Sequence, residues 1–394
     1  FPNETLPKGR KQKTTALYDR FINQGAVMGD SFGLENVLWF ANNKEDAYEE
    51  PTIKRSRSHN YVSKEVINVR ENVGVTEVAN FSKHEFKGPD ARKFLDYVMA
   101  GRIPKPGRIS LNPMLTKKGK LYGDLTVACT DENEFMIFGS GAAQEMHRRW
   151  FESHIGKFNL SYKNRSDDFH GLSISGPKSR DLLQKIVRED VSNSKLKFRD
   201  SRRMYVAGVP AIINRLSFTG ELGYEIYVAP HYQIKLYEEL MEAGKEFNIK
   251  PFGARALMSM RLEKNWGAWT LDYRPDFTPK EVGLDVFINW DKDFIGKNSA
   301  KKDKSKNKIT PLIVETNEID VTYNEAVMKG DKSIGYVTSG GFAHFVNKSV
   351  AFSYLDTNEL NSEKGIQVEI NGDMFNCSII KEPLYDPSGQ KMRS

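Results

Sequence analysis

Cysteine is scarce in this sequence of 394 residues, and its histidines are not grouped. The two cysteines, Cys129 and Cys377, provide neither a disulfide framework nor a Cys-x-x-Cys metal site. The seven histidines are scattered, and the metal-binding patterns HxH and HExxH do not occur. We therefore expect a reducing compartment and no bound metal.

Long apolar runs and a strong excess of one charge are also missing. No apolar run approaches the length of a membrane span and no lipidation signal is present, which argues against a membrane protein. The 58 Lys and Arg residues and 52 Asp and Glu residues give a net charge of only +6, much of it concentrated at 8–13 and 297–308. These short patches do not indicate nucleic-acid binding, and an anionic small molecule would suit them equally well.

The length of the chain and its shifts in composition predict several domains. A chain of 394 residues exceeds one ordinary hydrophobic core. We expect an arm at 1–13, a region of two subdomains at 14–296, a charged linker at 297–308 and an all-β barrel or sandwich at 309–394. The chain begins at Phe1 with neither an initiator methionine nor a secretory signal, so we expect it to start inside a longer or processed polypeptide.

A repeated local pattern indicates that the large region has two related halves. A predicted strand is followed by a Gly-Pro turn and a helix at Gly88-Pro89, and the same succession occurs at Gly176-Pro177. The duplication predicts two α+β subdomains.

The stretch 217–227 predicts a strand, a tight glycine turn and a second strand, because two glycines lie among apolar and aromatic residues. Side chains alternate along a strand, so Tyr224 and Ile226 should pack on one face while Glu225 lies on the other. The Glu225 carboxylate therefore either meets a polar partner or is a solvated glutamate in a hairpin.

Two other charged residues are candidates for a site. Asp124 lies inside a predicted strand at 121–129, where aspartate is disfavoured. It is therefore either solvated or aimed into a cleft, where it can accept a proton or hold an amine. Arg255 precedes a predicted helix at 256–264, where it either joins a surface salt-bridge lattice or projects toward an anionic or carbonyl-rich ligand. The segment 265–277, rich in Trp, Tyr and Pro, is predicted to be a loop over a pocket.

Four stretches, taken together in this order and spacing, resemble the folate-dependent aminomethyltransferase family, which includes the T-protein of the glycine cleavage system: residues 118–127, 218–227, 253–264 and 335–340. A closer likeness is to the tetrahydrofolate-binding C-terminal half of dimethylglycine and sarcosine dehydrogenases. It rests on residues 39–41, 114–116, 121–127, 261–264 and 293–297. The likeness covers nearly the whole chain. Those dehydrogenases also have an N-terminal flavin domain, and Phe1 falls about where that domain would end.

The resemblance implies a cloverleaf of two interleaved α+β subdomains and a C-terminal β-barrel, with tetrahydrofolate at the centre. Asp124 takes the place of the family's key aspartate, although members often have two adjacent acidic residues where this chain has Gly123 and Asp124. Glu225 matches the pterin-binding glutamate, and Arg255 matches the folate-contacting arginine. Further folate contacts are implied for three tyrosines: Tyr122, Tyr224 and Tyr385.

One segment departs from the family. Where its members usually have Phe-Asp-x-Ser, this chain has Thr76-Glu77-Val78-Ala79. The departure weakens any expectation that this segment contributes to the site.

The family's chemistry implies transfer of a one-carbon unit to tetrahydrofolate. The expected reaction takes a methylene, as an iminium or formaldehyde equivalent, from an N-methylated amine such as dimethylglycine or sarcosine and gives 5,10-methylenetetrahydrofolate. Asp124 would stabilise positive charge and accept a proton, Glu225 would accept the pterin N–H donors, and Arg255 would fix the cofactor. FAD is expected only where a missing N-terminal domain or a partner supplies it.

Two alternatives use the same site. A non-catalytic folate-holding module of a flavoprotein would capture formaldehyde by proximity alone, and a direct methyltransferase with an onium donor would give a 5-methyl product. The expected partners are therefore a methylamine or onium substrate and a flavin dehydrogenase domain or subunit, with no nucleic acid and no membrane. The expected location is the cytoplasm, or the mitochondrial matrix in a eukaryote.

Overall fold

The computed structural model describes residue 5 and residues 8–361 and 365–394. Of the predicted arm at 1–13, residues 1–4, 6 and 7 lie outside the described residues. The described part of the arm runs beside a hairpin, with the Glu35 N–H donating to the Lys13 carbonyl at 2.9 Å. The elements of this region are α1 (Tyr18–Asn23), β1 (Ala26–Ser31) and β2 (Leu34–Phe40).

Five antiparallel strands form the first large sheet, in the order β5, β6, β7, β4, β8. Two helices cover one of its faces, where Leu125 and Val127 pack against Phe94 and Phe151. These elements are β4 (Phe81–Lys87), α3 (Ala91–Val98), β5 (Arg108–Leu115), β6 (Leu121–Asp131), β7 (Glu134–Ser140), α4 (Gln144–Ile155) and β8 (Ser161–Asn164).

A second sheet contains six strands in the order β10, β11, β12, β9, β3, β13. Helices α5 and α6 cover one face, where Tyr224 and Ile226 pack with Leu182 and Leu236. The elements are α2 (Ser58–Glu71), β3 (Val73–Glu77), β9 (His170–Ser175), α5 (Ser179–Ile186), β10 (Ser201–Val206), β11 (Val209–Asn214), β12 (Gly223–Val228), α6 (Gln233–Ala243), β13 (Ile249–Pro251) and α7 (Ala254–Glu263). The chain enters this sheet at β3, builds the first sheet, and returns at β9. The two α+β units are therefore interleaved, as expected.

The faces that these helices leave uncovered meet each other. Tyr227 of β12 stacks on Phe138 of β7 with ring centroids 4.6 Å apart and an interplanar angle of 28°. Around them lies a small apolar cluster contributed by both sheets: Val78, Ile109, Ala128, Met136 and Ile212. Any polar side chain on these facing surfaces is directed into the space between the sheets.

The duplicated Gly-Pro turn occurs once in each sheet, between β4 and α3 and between β9 and α5. Gly88 and Gly176 have φ values of +136° and +132°, which residues with a side chain rarely adopt. The repeated pattern thus corresponds to the same structural unit in both halves.

The C-terminal region of the described residues forms a closed β-barrel in the order β14, β17, β16, β15, β18, β19. Its elements are β14 (Asn307–Val314), β15 (Ala326–Lys329), β16 (Lys332–Ala343), β17 (Lys348–Asp356), β18 (Ile366–Ile370) and β19 (Asp373–Ile379). In the chain, the short helix α8 (Lys297–Lys301) precedes the barrel strands and the short helix α9 (Gln390–Arg393) follows them. The segment predicted as a charged linker contains α8 and the first two residues of β14. The barrel contacts α7, where Ser259 Oγ donates to the Phe342 carbonyl at 2.8 Å.

The prediction of a strand before Gly220 is wrong. Residues 217–222 form a turn, and β12 pairs instead with β9 and β11. The reason is local: Ser217 Oγ accepts the Thr219 N–H at 3.1 Å and lies 2.6 Å from Thr219 Oγ1. Hydroxyl groups that bond to the nearby backbone in this way compete with strand pairing.

The described residues contain no helix that is both long and apolar enough to cross a membrane. They also contain no group of three or more His, Cys, Asp or Glu side chains arranged to hold a metal ion. The two cysteines are unpaired: Cys129 is buried in the core of the first sheet, and Cys377 lies in the barrel.

Candidate functional site

Asp124 lies in β6 beside an irregularity of the first sheet. Its register partner on the edge strand β5 is Pro113, which has no N–H to donate, and a bulge follows between Met114 and Leu115. Asp124 shares its face of β6 with Ala128, which packs in the cluster between the two sheets. The carboxylate is therefore directed into the space between the sheets.

The electrostatic surroundings of Asp124 favour its neutral form. Burial raises the pKa of Asp124 to about 7, and no cation among the described residues counteracts this effect. Burial raises the pKa of Tyr273, and the charge of Asp124 raises it further. The Tyr273 phenol is therefore within electrostatic range of the Asp124 carboxylate. A carboxyl group whose pKa lies near neutrality can both accept and donate a proton.

The loop 265–277 covers this part of the site. Trp269 of the loop lies against His147 of α4 with ring centroids 5.9 Å apart. His147 Nε2 donates in turn to the Tyr122 carbonyl at 2.9 Å, since a carbonyl oxygen can only accept. The loop is thus joined to α4, and through His147 to the backbone of β6 two residues before Asp124.

Glu225 is the second carboxylate in this space. It is 6% exposed and accepts a hydrogen bond from the Tyr227 hydroxyl on Oε2 at 2.8 Å. Burial raises the pKa of Glu225 to about 7, opposed by the Tyr227 hydrogen bond and by attraction to Lys83. Because Glu225 and Tyr227 are two residues apart in β12, they share the face that meets the first sheet. Asp124 and Glu225 therefore come from different sheets and face the same space.

The family models match nearly the whole chain. Residues 17–292 match the GCVT N-terminal domain, and residues 308–386 match the glycine cleavage T-protein C-terminal barrel domain. The chain belongs to the glycine cleavage T-protein family. The resemblance, the fold class and the assignment to an enzyme family of aminomethyltransferases are thereby confirmed. Proteins of the T-protein family bind tetrahydrofolate and carry out folate-dependent one-carbon transfer.

Individual relatives agree with this assignment. Human mitochondrial dimethylglycine dehydrogenase is 34% identical over 393 residues, which is 98% of this chain and 45% of that protein. The aminomethyltransferase of Desulfitobacterium hafniense strain Y51 is 28% identical over 382 residues, covering 96% of this chain and 99% of that protein. The crystal structure of aminomethyltransferase T from Bartonella henselae superposes with a TM-score of 0.82 at 21% identity, covering 95% of this chain and 99% of that chain, and supports the fold. This chain thus spans less than half the length of the dimethylglycine dehydrogenase.

Arg255, the arginine matched to the T-protein family's folate contact, is paired elsewhere. Its guanidinium forms an ion pair with Glu49 and donates to Ser58 Oγ at 2.6 Å. Neither partner belongs to the face that carries Asp124 or Glu225. The structure therefore does not bring Arg255 into contact with either carboxylate, and its role in folate binding stays a prediction.

Tyr122 and Tyr224 lie in different surroundings. Tyr122 packs against Trp150 of α4 with ring centroids 4.5 Å apart, two residues from Asp124. Tyr224 is fully buried in the helix-covered core, on the face of β12 opposite Glu225. The structure thus packs Tyr122 against the helix-covered core of the first sheet and directs Tyr224 away from Glu225, and folate contacts by both stay predictions.

Tyr385 belongs to a buried charge cluster beside the barrel. Its hydroxyl donates to Glu221, and its ring lies 3.8 Å from the Arg70 guanidinium. Arg70 also pairs with Glu221 at 2.9 Å and with Glu263 at 2.5 Å. Of the two glutamates in the 217–227 stretch, Glu221 is therefore neutralised, whereas Glu225 has no ion pair among the described residues. A folate contact by Tyr385 stays a prediction.

Two side chains next to the carboxylates were not singled out from the sequence. Tyr273 lies in the aromatic loop that was predicted to cover a pocket, so the composition of that loop was its signal. Lys83 has no comparable signal, because a single lysine in a strand is usually solvated. In the structure Lys83 is 0% exposed.

Proposed function

We propose that this chain takes a methylene group, as an iminium or formaldehyde equivalent, from an N-methylated amine such as dimethylglycine or sarcosine to tetrahydrofolate, giving 5,10-methylenetetrahydrofolate. The observation that carries the proposal is the pair Asp124 and Glu225. These carboxylates come from facing sheets, both have a pKa raised to about 7, and neither forms an ion pair among the described residues. Membership of the T-protein family supports this assignment.

The free acceptor atoms of Glu225 suit a pterin ring. Tyr227 donates to Oε2, and no donor in the described residues reaches Oε1. A pterin presents neighbouring N–H donors on one edge, which a carboxylate can accept side by side. Such donors would also favour the ionised form of Glu225 and offset the cost of its burial.

Asp124 would act on charge and on a proton. Bound tetrahydrofolate supplies the nucleophilic nitrogen that receives the one-carbon unit. The ionised Asp124 carboxylate would attract the positive charge of an iminium in the space between the sheets. It would then accept the proton that the nitrogen loses as the new bond forms, which its pKa of about 7 allows. It would return that proton to the demethylated amine, which leaves when its bond to the methylene carbon breaks.

A flavin-containing partner would supply the one-carbon unit. Human dimethylglycine dehydrogenase is named for an oxidation, and this chain matches 45% of its length. We therefore propose that a flavin dehydrogenase domain or subunit oxidises the methylamine beside this chain. Location in the cytoplasm or the mitochondrial matrix stays a prediction.

Calorimetric titration of tetrahydrofolate under reducing conditions tests the site. We expect saturable binding by the wild type, a loss of at least tenfold in affinity for Glu225→Gln, and binding within a few-fold of wild type for Asp124→Asn. Glu325→Gln is the matched control, because burial also raises the pKa of Glu325 to about 7. Glu325 immediately precedes β15 of the barrel and does not belong to either of the two facing sheets. Equal loss in both glutamate variants, or no binding by the wild type, would contradict the proposal.

The product separates the proposed reaction from its alternatives. With a methylamine and an oxidising partner, we expect a methylene product whose formation Asp124→Asn reduces by at least 100-fold. A methyl product from an onium donor would support the direct methyltransferase instead. Unchanged product formation by Asp124→Asn would indicate a module that only holds the folate.

A further inference from the structure

Lys83 is a fully buried lysine that the proposed chemistry does not use. It lies in β4 opposite Phe138 of β7 and is 0% exposed. Phe138 belongs to the cluster between the two sheets, so Lys83 is directed toward the second sheet. Lys83 forms no ion pair among the described residues, and burial of an unpaired lysine is costly and requires an explanation.

Three carbonyl oxygens surround the Lys83 ammonium group. Nζ donates to Ala79 at 3.0 Å, to Phe81 at 2.7 Å and to Ser166 at 3.4 Å. An ammonium group has three N–H donors, whereas a neutral amine has only two. Burial lowers the pKa of Lys83 to about 7, and this set of acceptors favours the charged form.

The Lys83 ammonium group lies near Tyr227, the residue that donates a hydrogen bond to Glu225. Nζ lies 5.8 Å from the centroid of the Tyr227 ring, within the range of a cation–π interaction. The hydroxyl of that same ring donates to Glu225. A cation over a phenol ring strengthens its O–H as a donor, and the charge also attracts the Glu225 carboxylate directly.

We propose that Lys83 is a positioning residue for Glu225: its ammonium group, held by three backbone carbonyls beneath Tyr227, keeps the Glu225 carboxylate ionised and oriented to accept the N–H donors of the folate. This inference rests on the proposed function of Glu225 as the folate acceptor. It adds a residue from the first subdomain that acts through Tyr227 without touching the ligand.

Other charged and titratable groups surround Lys83 and contribute to the same field. Two acidic groups stabilise its charge, Glu77 of β3 and Asp167 of the loop before β9. Groups that are or can become positively charged oppose it: Lys13 of the arm, His84 of β4 and His170 of β9. Asp167 and Lys13 form an ion pair with each other, so their effects on Lys83 largely offset. Glu225 and Tyr227 are the groups that β12 contributes.

The proposal predicts a specific change in the pH dependence of folate binding. Folate needs ionised Glu225, so binding is present above the pKa of Glu225 and is lost as the pH falls through it. Removing the Lys83 charge raises that pKa, which moves the acid midpoint of binding to higher pH by about one unit. Affinity should then fall about fivefold at pH 7 and stay within about twofold of wild type at pH 9, where Glu225 is ionised in either protein.

Calorimetry between pH 5.5 and 9 measures this midpoint for wild type, Lys83→Gln, Lys83→Met and Tyr227→Phe. The glutamine removes the charge but retains two N–H donors, and the methionine removes both the charge and the donors. The phenylalanine removes the hydrogen bond to Glu225 while the lysine remains. Lys292→Met is the matched control, because Nζ of Lys292 also donates to two backbone carbonyls, at 2.7 and 2.8 Å, but pairs with Asp96 away from Glu225. Thermal unfolding shows whether each variant is folded.

The outcomes separate this inference from the proposed function. An upward shift of the midpoint in both Lys83 variants and in Tyr227→Phe, with no shift in Lys292→Met, supports the role of Lys83. An unchanged midpoint in a folded lysine variant overturns it. If both lysine variants fail to fold, an unchanged midpoint in Tyr227→Phe overturns it. Absence of folate binding by the wild type would instead refute the proposed function.

Discussion

Arg261 donates to Asp272 at 2.7 Å in an ion pair whose side chains are 1% and 0% exposed. The other Asp272 oxygen accepts hydrogen bonds from Thr338 and Ser339 of the barrel, at 2.5 and 2.7 Å. One carboxylate thereby joins α7, the loop over the site and β16. Its neighbour in the chain is Tyr273, whose pKa is raised by burial and then by the charge of Asp124.

We expect Asp272→Asn to destabilise the protein by about 3–5 kcal/mol, because it leaves the Arg261 charge buried without its partner. Urea unfolding measures the loss. Asp276→Asn is the control in the same loop: its side chain is 73% exposed and lies 3.7 Å from Arg274, so its cost should stay below about 1 kcal/mol. Equal costs for the two variants would show that the buried pair does not fix the loop.

The Asp124 carboxylate is expected to destabilise the folded protein when it is ionised. Its folded-state pKa of about 7 lies above that of an unfolded aspartate, so the folded state is penalised for ionising it as the pH rises from about 4 to 7. Asp124→Asn should therefore raise the thermal midpoint more at pH 8 than at pH 5, by a few degrees for each kcal/mol recovered. Differential scanning calorimetry at both pH values measures this difference, and equal shifts at the two would contradict the raised pKa.

Much of the local structure could be predicted from the sequence because it depends on short-range patterns. The alternation of Tyr224, Glu225 and Ile226 placed the glutamate opposite two core residues, as observed. The same reasoning failed before Gly220, where the Ser217 hydroxyl bonds to the backbone and replaces the predicted strand with a turn.

The site itself depends on contacts that local patterns do not contain. Neither alternation in β6 nor alternation in β12 shows that Asp124 and Glu225 face one space, since that follows from the packing of two sheets. Only the family resemblance linked them in advance. The partners of long charged side chains are equally non-local, as Arg255 with Glu49 and the buried Lys83 illustrate.

Arg70 should be essential for attaching the C-terminal segment. It is fully buried, pairs with Glu221 and Glu263 and lies against Tyr385, so Arg70→Met leaves two buried carboxylates without their cation. We expect a loss of at least about 3 kcal/mol in urea unfolding, together with faster proteolysis after residue 380. Arg20→Met is the control, since Arg20 pairs with Glu238 on the surface and should cost less than about 1 kcal/mol.

The two Gly-Pro turns allow a matched test of why each unit needs its glycine. A Cβ on Gly176 would lie 2.4 Å from the Asn72 carbonyl oxygen, and one on Gly88 would lie 2.8 Å from Leu160 Cα. Because these neighbours are backbone atoms, Gly176→Ala and Gly88→Ala should each cost about 2–4 kcal/mol from overpacking and backbone strain together. Gly208 also has a positive φ, +76°, but nothing lies within 4 Å of its added Cβ, so Gly208→Ala should cost only about 1 kcal/mol. If urea unfolding gives the same cost for all three variants, backbone conformation alone requires the glycines and the close approach of the neighbouring chain does not.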